Sequence, residues 1–165
     1  MEIRNNQNFD TYELGKLTLD EYLKRVVFYE GRRFSLNSFK KFMFAQSEPD
    51  PQMINLLATL KAKYGLKIIV VSNEVRELNA YRIRTFKLNR VVDAFISSCY
   101  VHLRKPDEDI FRLALDIAQV PLKQIVYIEN TFMFVQVAKN LGIQGILHTN
   151  YKTTCEKLAS LGLVL

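Results

Sequence analysis

The chain has 165 residues, of which 48% are apolar and 24% charged, a composition that suits one globular domain, with or without a small insert, and excludes a disordered chain. The net charge of +6 comes from scattered basic residues, with pairs at Arg32-Arg33 and Lys40-Lys41 but no basic arm, so the reading expects no nucleic-acid partner; the excess suits a solvated surface that also favours an anionic substrate. No apolar run approaches the roughly 20 residues needed to cross a bilayer, so no membrane partner is expected either.

The first fifty residues read as helical. Thr18-Leu19-Asp20-Glu21 has the pattern of a capping box, with Thr18 as N-cap and Glu21 three residues on. Leu19, Tyr22, Leu23, Val26 and Val27 then recur at helical spacing. Ser35 caps a second helix bearing Leu36, Phe39, Phe42 and Met43, and the Phe-rich stretch from Phe34 to Phe44 reads as core or as contact surface, with core favoured. At Glu48-Pro49-Asp50-Pro51 the character changes. Asp50 fits an N-cap and Pro51 the first helical position. Met53, Ile54, Leu57, Leu60 and Tyr64 share a side, and Gly65 ends the helix.

Strands and helices then alternate. Residues 67–71 form a β-branched strand, and a helix follows over about 75–88. A short strand covers 94–97, and a helix from Asp107 carries Ile110, Phe111, Ala114 and Ile117 until Pro121 breaks it. A strand at 125–129 leads to a helix at 131–141, a strand at 143–148 and a last helix at about 153–161. This order predicts βαβ units, a parallel sheet and right-handed crossovers. The division expected is a helical cap-like region at residues 1–48 and an α/β core at 49–165.

Cys99 and Cys155 form no CxxC motif, and His102 and His148 lack metal-ligand spacing. With no secretory core in MEIRNNQNFD, this favours a reduced, cytoplasmic protein. Three strand-end signals stand in order: Ser72-Asn73, Lys105 in Arg104-Lys105-Pro106-Asp107, and Glu129-Asn130. Each has a plain reading: a helix cap, a solvated lysine, and an acid facing a helix dipole. Together they are more specific, because the carboxyl ends of parallel strands converge on one crevice. A hydroxyl, an ammonium and a carboxylate gathered there suit a phosphate and a hard cation such as Mg²⁺.

On these motifs the sequence resembles the haloacid dehalogenase superfamily, whose members are largely Mg²⁺-dependent phosphatases. IIVVSN is similar to the second family motif, VVDAFISSCYVHLRKPDEDIFRLAL to the third-motif region and IVYIENTFMFVQVAKNLGIQGI to the fourth; RKPDEDIF is the most specific of them. The resemblance implies a Rossmann-like parallel sheet with flanking helices and a small N-terminal helical cap. It also implies phosphoryl-ester hydrolysis through an aspartyl-phosphate. In that reading Ser72 and Lys105 are the catalytic-site residues of this chain, Ser72, Asn73 and Lys105 hold substrate, Glu129 and Asn130 face the metal, and the ligand is a phosphorylated small molecule. The oligomeric state and the identity of the substrate stay open.

Departures from the family pattern matter as much. The family's first motif, Asp-x-Asp at the end of its first strand, has no counterpart, since Asp10 follows the polar RNNQNF. The core is thus expected to lack its first strand and the chain its nucleophile, whether through a late start, a truncated frame or decay. The usual fourth-motif acid pair reads Glu129-Asn130, which predicts weak or lost Mg²⁺ binding. Phe134 replaces a frequent Asn. His102 replaces a frequent Gly, so the loop there is expected to differ. The alternative to a hydrolase is a non-catalytic relative that binds a phospho-ligand or a protein; a basic nucleic-acid module fits poorly, for want of aromatic–basic interleaving. Without a central strand, the strands at 67–71 and 125–129 have three expected outcomes: direct pairing, completion by a separate piece, or marginal folding.

Overall fold

The structure is a computed structural model and describes residues 2–165, with side chains from residue 7 onward. Three helices lead the chain: α1 (Glu2–Glu13), α2 (Leu19–Val26) and α3 (Leu36–Ala45). Helix α1 agrees with the helical reading of the first fifty residues, although it carries no clear apolar stripe. Its end is nevertheless well anchored: Tyr12 is buried against Leu17, Leu19, Leu23 and Val75. The capping box of α2 is present in full, with Thr18 Oγ1 accepting from Glu21 N–H and Glu21 accepting from Thr18 N–H. Ser35 caps α3.

These helices rest on α5 (Arg76–Thr85) through one acid. Glu77 accepts from the Tyr12 hydroxyl at 3.1 Å and from Leu19 N–H at 2.8 Å. The Phe-rich stretch divides. Phe39 and Phe44 pack against the helical core, while Phe34 and Phe42 are exposed.

Helix α4 (Pro51–Tyr64) starts with Asp50 accepting from Met53 N–H and stops at Gly65, whose φ of +65° is the left-handed conformation a glycine reaches without steric cost. Leu56 and Leu60 face the core, whereas Tyr64 is exposed. Then come β1 (Ile69–Ser72), α5, β2 (Ala94–Ser97), α6 (Ser98–Val101), α7 (Glu108–Ala118), β3 (Val126–Glu129), α8 (Phe132–Asn140), β4 (Gln144–Leu147) and α9 (Tyr151–Ser160). The alternation follows the sequence expectation, with α6 added and Ile117 exposed rather than on a core face.

The strands form two parallel pairs. β1 lies beside β2, with Ile69 opposite Ala94 and Ser72 opposite Ser97, and β3 lies beside β4, with Val126 opposite Gln144 and Glu129 opposite Leu147. β1 and β3 do not pair with each other, so direct closure of the two inner strands does not occur. The pairs are joined by side chains instead. Ile69 and Val71 of β1 and Tyr127 of β3 share a core with Ile96, Ile110, Phe111, Ala138 and Ile143. A second core on the other face gathers Leu56, Leu60, Ile146 and Leu158 with Val126 and Ile128. Among the described residues no helix is long and apolar enough to cross a membrane.

Candidate active site

The carboxyl ends of β1 and β3 are connected by Lys105. Its backbone is clasped by the side chain of Asn73, which donates Nδ2–H to the Lys105 carbonyl and accepts Lys105 N–H through Oδ1, both at 2.8 Å. The two bonds fix the loop that precedes α7. From there the lysine side chain extends inward, only 7% exposed, and its ammonium donates to Glu129 Oε2 at 2.5 Å and to the Tyr127 hydroxyl at 3.2 Å. The Phe134 ring covers the same ammonium, with its centroid 4.8 Å away, a cation–π contact strengthened by exclusion of water.

Glu129 is equally enclosed. Oε2 accepts from Lys105 and from the Tyr127 hydroxyl at 2.8 Å, and Oε1 accepts the backbone N–H groups of Asn130 and Thr131 at 2.8 and 2.9 Å. Burial by itself would raise its pKa. The bonds from Lys105, Thr131 and Tyr127, together with the ammonium charge, outweigh that and hold the carboxyl below its ordinary range. The Tyr127 hydroxyl is pushed up by burial first and then by the adjacent carboxylate. All the favourable acceptor directions of Glu129 are therefore occupied by donors of this chain.

Of the residues expected from sequence, Asn73, Lys105 and Glu129 are brought together by direct bonds. Asn73 does not cap α5, and Lys105 is not a solvated side chain. Ser72 lies beside them at the end of β1, with its Oγ donating to Ser97 Oγ at 3.3 Å rather than to Lys105. Asn130 is exposed at the mouth. A cavity of about 430 Å³ opens there, lined by Asp50, Met53, Leu57, Ile128, Glu129, Asn130 and His148. Among the described residues no group of three or more His, Cys, Asp or Glu side chains is placed to hold a metal.

Tyr127 is not among the residues expected from sequence, and Phe134 is expected only as a departure from the family pattern, not as a cover for Lys105. Strand alternation carries the signal for Tyr127, two residues before Glu129 and so on the same face. Asp10 is remote in role: it pairs with Arg104, which also bonds Glu13 at 2.7 Å. His102 was expected to change its loop. It adopts a φ of +58°, and its Nδ1 lies 2.7 Å from the Leu14 carbonyl. That contact and the Arg104 pairs tie the lysine loop to the end of α1.

The architecture is a parallel α/β layer with a buried lysine–carboxylate pair at its strand ends. A family model described as haloacid dehalogenase-like hydrolase matches residues 3–143, and the chain belongs to that family. Solved structures agree on the fold. A HAD-family enzyme from Bacteroides thetaiotaomicron superposes with a TM-score of 0.74 at 21% identity, covering 86% of this chain and 72% of that one. An aspartate-to-alanine mutant of the same enzyme, in complex with magnesium and inorganic phosphate, gives 0.72 at 19% identity over 89% and 86%. L-2-haloacid dehalogenase from Xanthobacter autotrophicus, with chloropropionic acid covalently bound, gives 0.64 at 17% identity over 99% and 70%. The fold is thus a HAD-like core of short parallel strands with flanking helices, and it bears helices α1–α3 at its amino-terminal side.

Proposed function

We propose that this protein is of the phosphatase type within its family, and that the 165-residue chain binds phosphorylated small molecules without turning them over. The observation that carries the reading is the linked set Asn73–Lys105–Glu129 at converging strand ends. An ammonium fixed there through its backbone is suited to phosphoryl oxygens, with the Ser72 hydroxyl as a second donor. The magnesium and phosphate held by the Bacteroides relative favour this chemistry over dehalogenation.

Turnover through an aspartyl-phosphate requires a carboxylate oxygen to attack phosphorus. Glu129 is the carboxylate that pairs with Lys105 among the described residues, and its oxygens already accept four hydrogen bonds. Attack from it would require breaking the bond to the very lysine that binds the phosphoryl group. The same saturation argues that Mg²⁺ binds weakly or not at all. Its octahedral shell needs open oxygen directions, and the neighbouring Asn130 offers a neutral amide. The residues present therefore do not fit the metal.

The test uses the purified chain with p-nitrophenyl phosphate and MgCl₂, alongside calorimetric titration with inorganic phosphate. The outcome expected is phosphate binding that Lys105→Ala removes, no heat from MgCl₂ alone, and no release of p-nitrophenol. Hydrolysis abolished by Lys105→Ala would show that the chain carries its own nucleophile and would refute the binding-only reading. Absence of phosphate binding would remove the phosphoryl assignment itself and leave the non-catalytic, protein-binding alternative.

A further inference from the structure

Helix α3 gathers apolar residues that the fold leaves half-covered. Five of its ten residues are Leu, Phe or Met, yet none is fully buried. Its inner side, with Leu36, Phe39, Met43 and Phe44, leans on the core around Tyr12 and Leu23. Its outer side carries Ser38, Phe42 and Ala45, all exposed, at the i, i+4 and i+7 spacing of one helix face. Phe42 is 60% exposed, and the two neighbours on its face are too small to cover it. So short a helix is marginal in water without packing, and α3 gains hold from whatever covers its outer side.

Phe42 is the end of a row of rings. Phe28 meets Phe34 edge-on with centroids 5.6 Å apart, Phe34 stacks on Phe39 at 5.5 Å, and Phe39 adjoins Phe42 at 6.4 Å. Phe34 is itself 46% exposed. Arg32 fixes the turn that leads from Phe28 to Phe34. Its Nε–H donates to the Val27 carbonyl at 2.6 Å, and its guanidinium lies 5.2 Å from the centroid of the exposed Tyr29 ring. The row is therefore ordered before anything binds, so covering it costs little side-chain entropy.

Charge is concentrated on the same segment. Between positions 24 and 45 the chain has six basic residues and a single acid, Glu30, within a net charge of +6 for the whole chain. Lys40 is matched by Asp20, and Arg32 reaches Glu30. Arg33 and Lys41 are exposed, adjoin Phe34 and Phe42 in the chain, and form no ion pair among the described residues.

We propose that the outer face of α3, together with the Phe34 ring, docks an acidic amphipathic helix of a second protein. Exposed rings beside arginine and lysine have the composition of a protein-binding patch, and the unmatched cations select an acidic partner. Apolar side chains at i, i+3 or i+4, and i+7 of that helix cover Phe34 and Phe42, entering the space that Ser38 and Ala45 leave open. Its flanking carboxylates meet Arg33 and Lys41. The docking face is separate from the Lys105 site, so it does not depend on the phosphoryl reading.

The experiment uses the whole chain and a fluorescein-labelled peptide, Asp-Glu-Leu-Glu-Asp-Leu-Leu-Glu-Glu-Phe-Leu-Asp-Asp-Leu, followed by anisotropy and by amide hydrogen exchange. Controls are a peptide of the same composition with its apolar positions out of helical register, and one with lysine in place of every acid. Binding is expected to saturate, to weaken with added salt, and to weaken at least about tenfold with Phe42→Ser, as for an interface anchor. Amide exchange across α3 is expected to slow in the complex. Phe42→Ser is expected to keep the thermal midpoint, its ring being exposed. Where it does not, the double variant Arg33→Glu, Lys41→Glu decides: it is expected to lose the acidic peptide and to gain the lysine one. No saturable binding would overturn the proposal, as would equal binding of the out-of-register peptide, which marks charge alone. Tighter binding to phosphatidylcholine–phosphatidylserine vesicles or to oligothymidylate would overturn it in favour of a membrane or a nucleic acid. A dimer of the free chain that Phe42→Ser dissolves, seen by sedimentation, would overturn it in favour of a second copy.

Discussion

Lys105 and Glu129 form an ion pair at 2.5 Å with side chains 7% and 10% exposed, and this pair bridges two β-strand pairs that share no ladder. Water screens it little, so its loss is felt as an uncompensated charge rather than as a missing surface contact. Glu129→Gln is expected to lower unfolding free energy by about 3 kcal/mol, near the low end of what breaking a buried pair costs, since Gln keeps an acceptor for Tyr127 and the backbone. Urea denaturation at neutral pH measures it.

The same carboxylate gives stability a definite pH dependence. Its folded pKa lies below the ordinary value of 4.5, so the unfolded chain takes up the proton first. The stabilisation is complete above about pH 4.5 and is lost as pH falls through the lower folded value. Wild-type denaturation midpoints are expected to drop in that acid window. Glu129→Gln is expected to lack that component, so the two curves converge at low pH; curves that stay parallel would contradict the shift.

A double-mutant cycle separates the pair from its surroundings. Lys105→Met leaves Glu129 buried without its cation, and Glu129→Gln leaves Lys105 without its anion. Combined, they leave neither charge exposed to the other's absence. The double variant is expected to be more stable than the sum of the single losses by about 1–3 kcal/mol, the range for residues in direct contact. Additivity within error would mean that the bridge is dispensable.

Gly15 leaves no room for a side chain. It has a φ of +70°, and a Cβ placed there would lie 2.1 Å from the Cys99 carbonyl oxygen. Gly15→Ala is therefore expected to cost about 3 kcal/mol or more, through both clash and left-handed strain. Gly31→Ala, where an added Cβ meets nothing within 4 Å, is the control and is expected to change thermal midpoint little.

The two thiols should differ in reactivity. Cys99 is fully buried, and burial pushes its pKa up to about 11, so it holds little thiolate at neutral pH. Cys155 is partly exposed. Reaction of the native protein with iodoacetamide is expected to label Cys155 and spare Cys99, with mass spectrometry of tryptic peptides as the readout; labelling of Cys99 at a similar rate would show that the α1–α6 contact opens readily.

Much of this was legible in the residues. Caps at Thr18, Ser35 and Asp50 and the stop at Gly65 are local chemistry, and local chemistry survives folding. The alternation of β-branched runs with amphipathic stretches fixed the order of strands and helices, and the strand-end rule brought Asn73, Lys105 and Glu129 to one place. The bounds of α1 within the helical first fifty residues were not legible, because its hold on the fold comes from single anchors, Tyr12 and the Arg104 pairs, which leave no periodic trace. Tyr127 reads as core until Lys105 is known to end beside it, and Phe134, legible as a departure from the family pattern, shows its role as a cover for the ammonium only in the fold. His102 takes the left-handed conformation that a glycine position implies, with the Leu14 carbonyl within bonding distance of its ring.

Each strand pair is completed within a single strand–helix–strand passage of the chain, and no main-chain bond links one passage to the other. The ladder of each pair therefore closes over a short stretch of sequence, whereas its apolar faces are covered only when the other passage and α4 pack against them, so neither pair is a stable unit by itself.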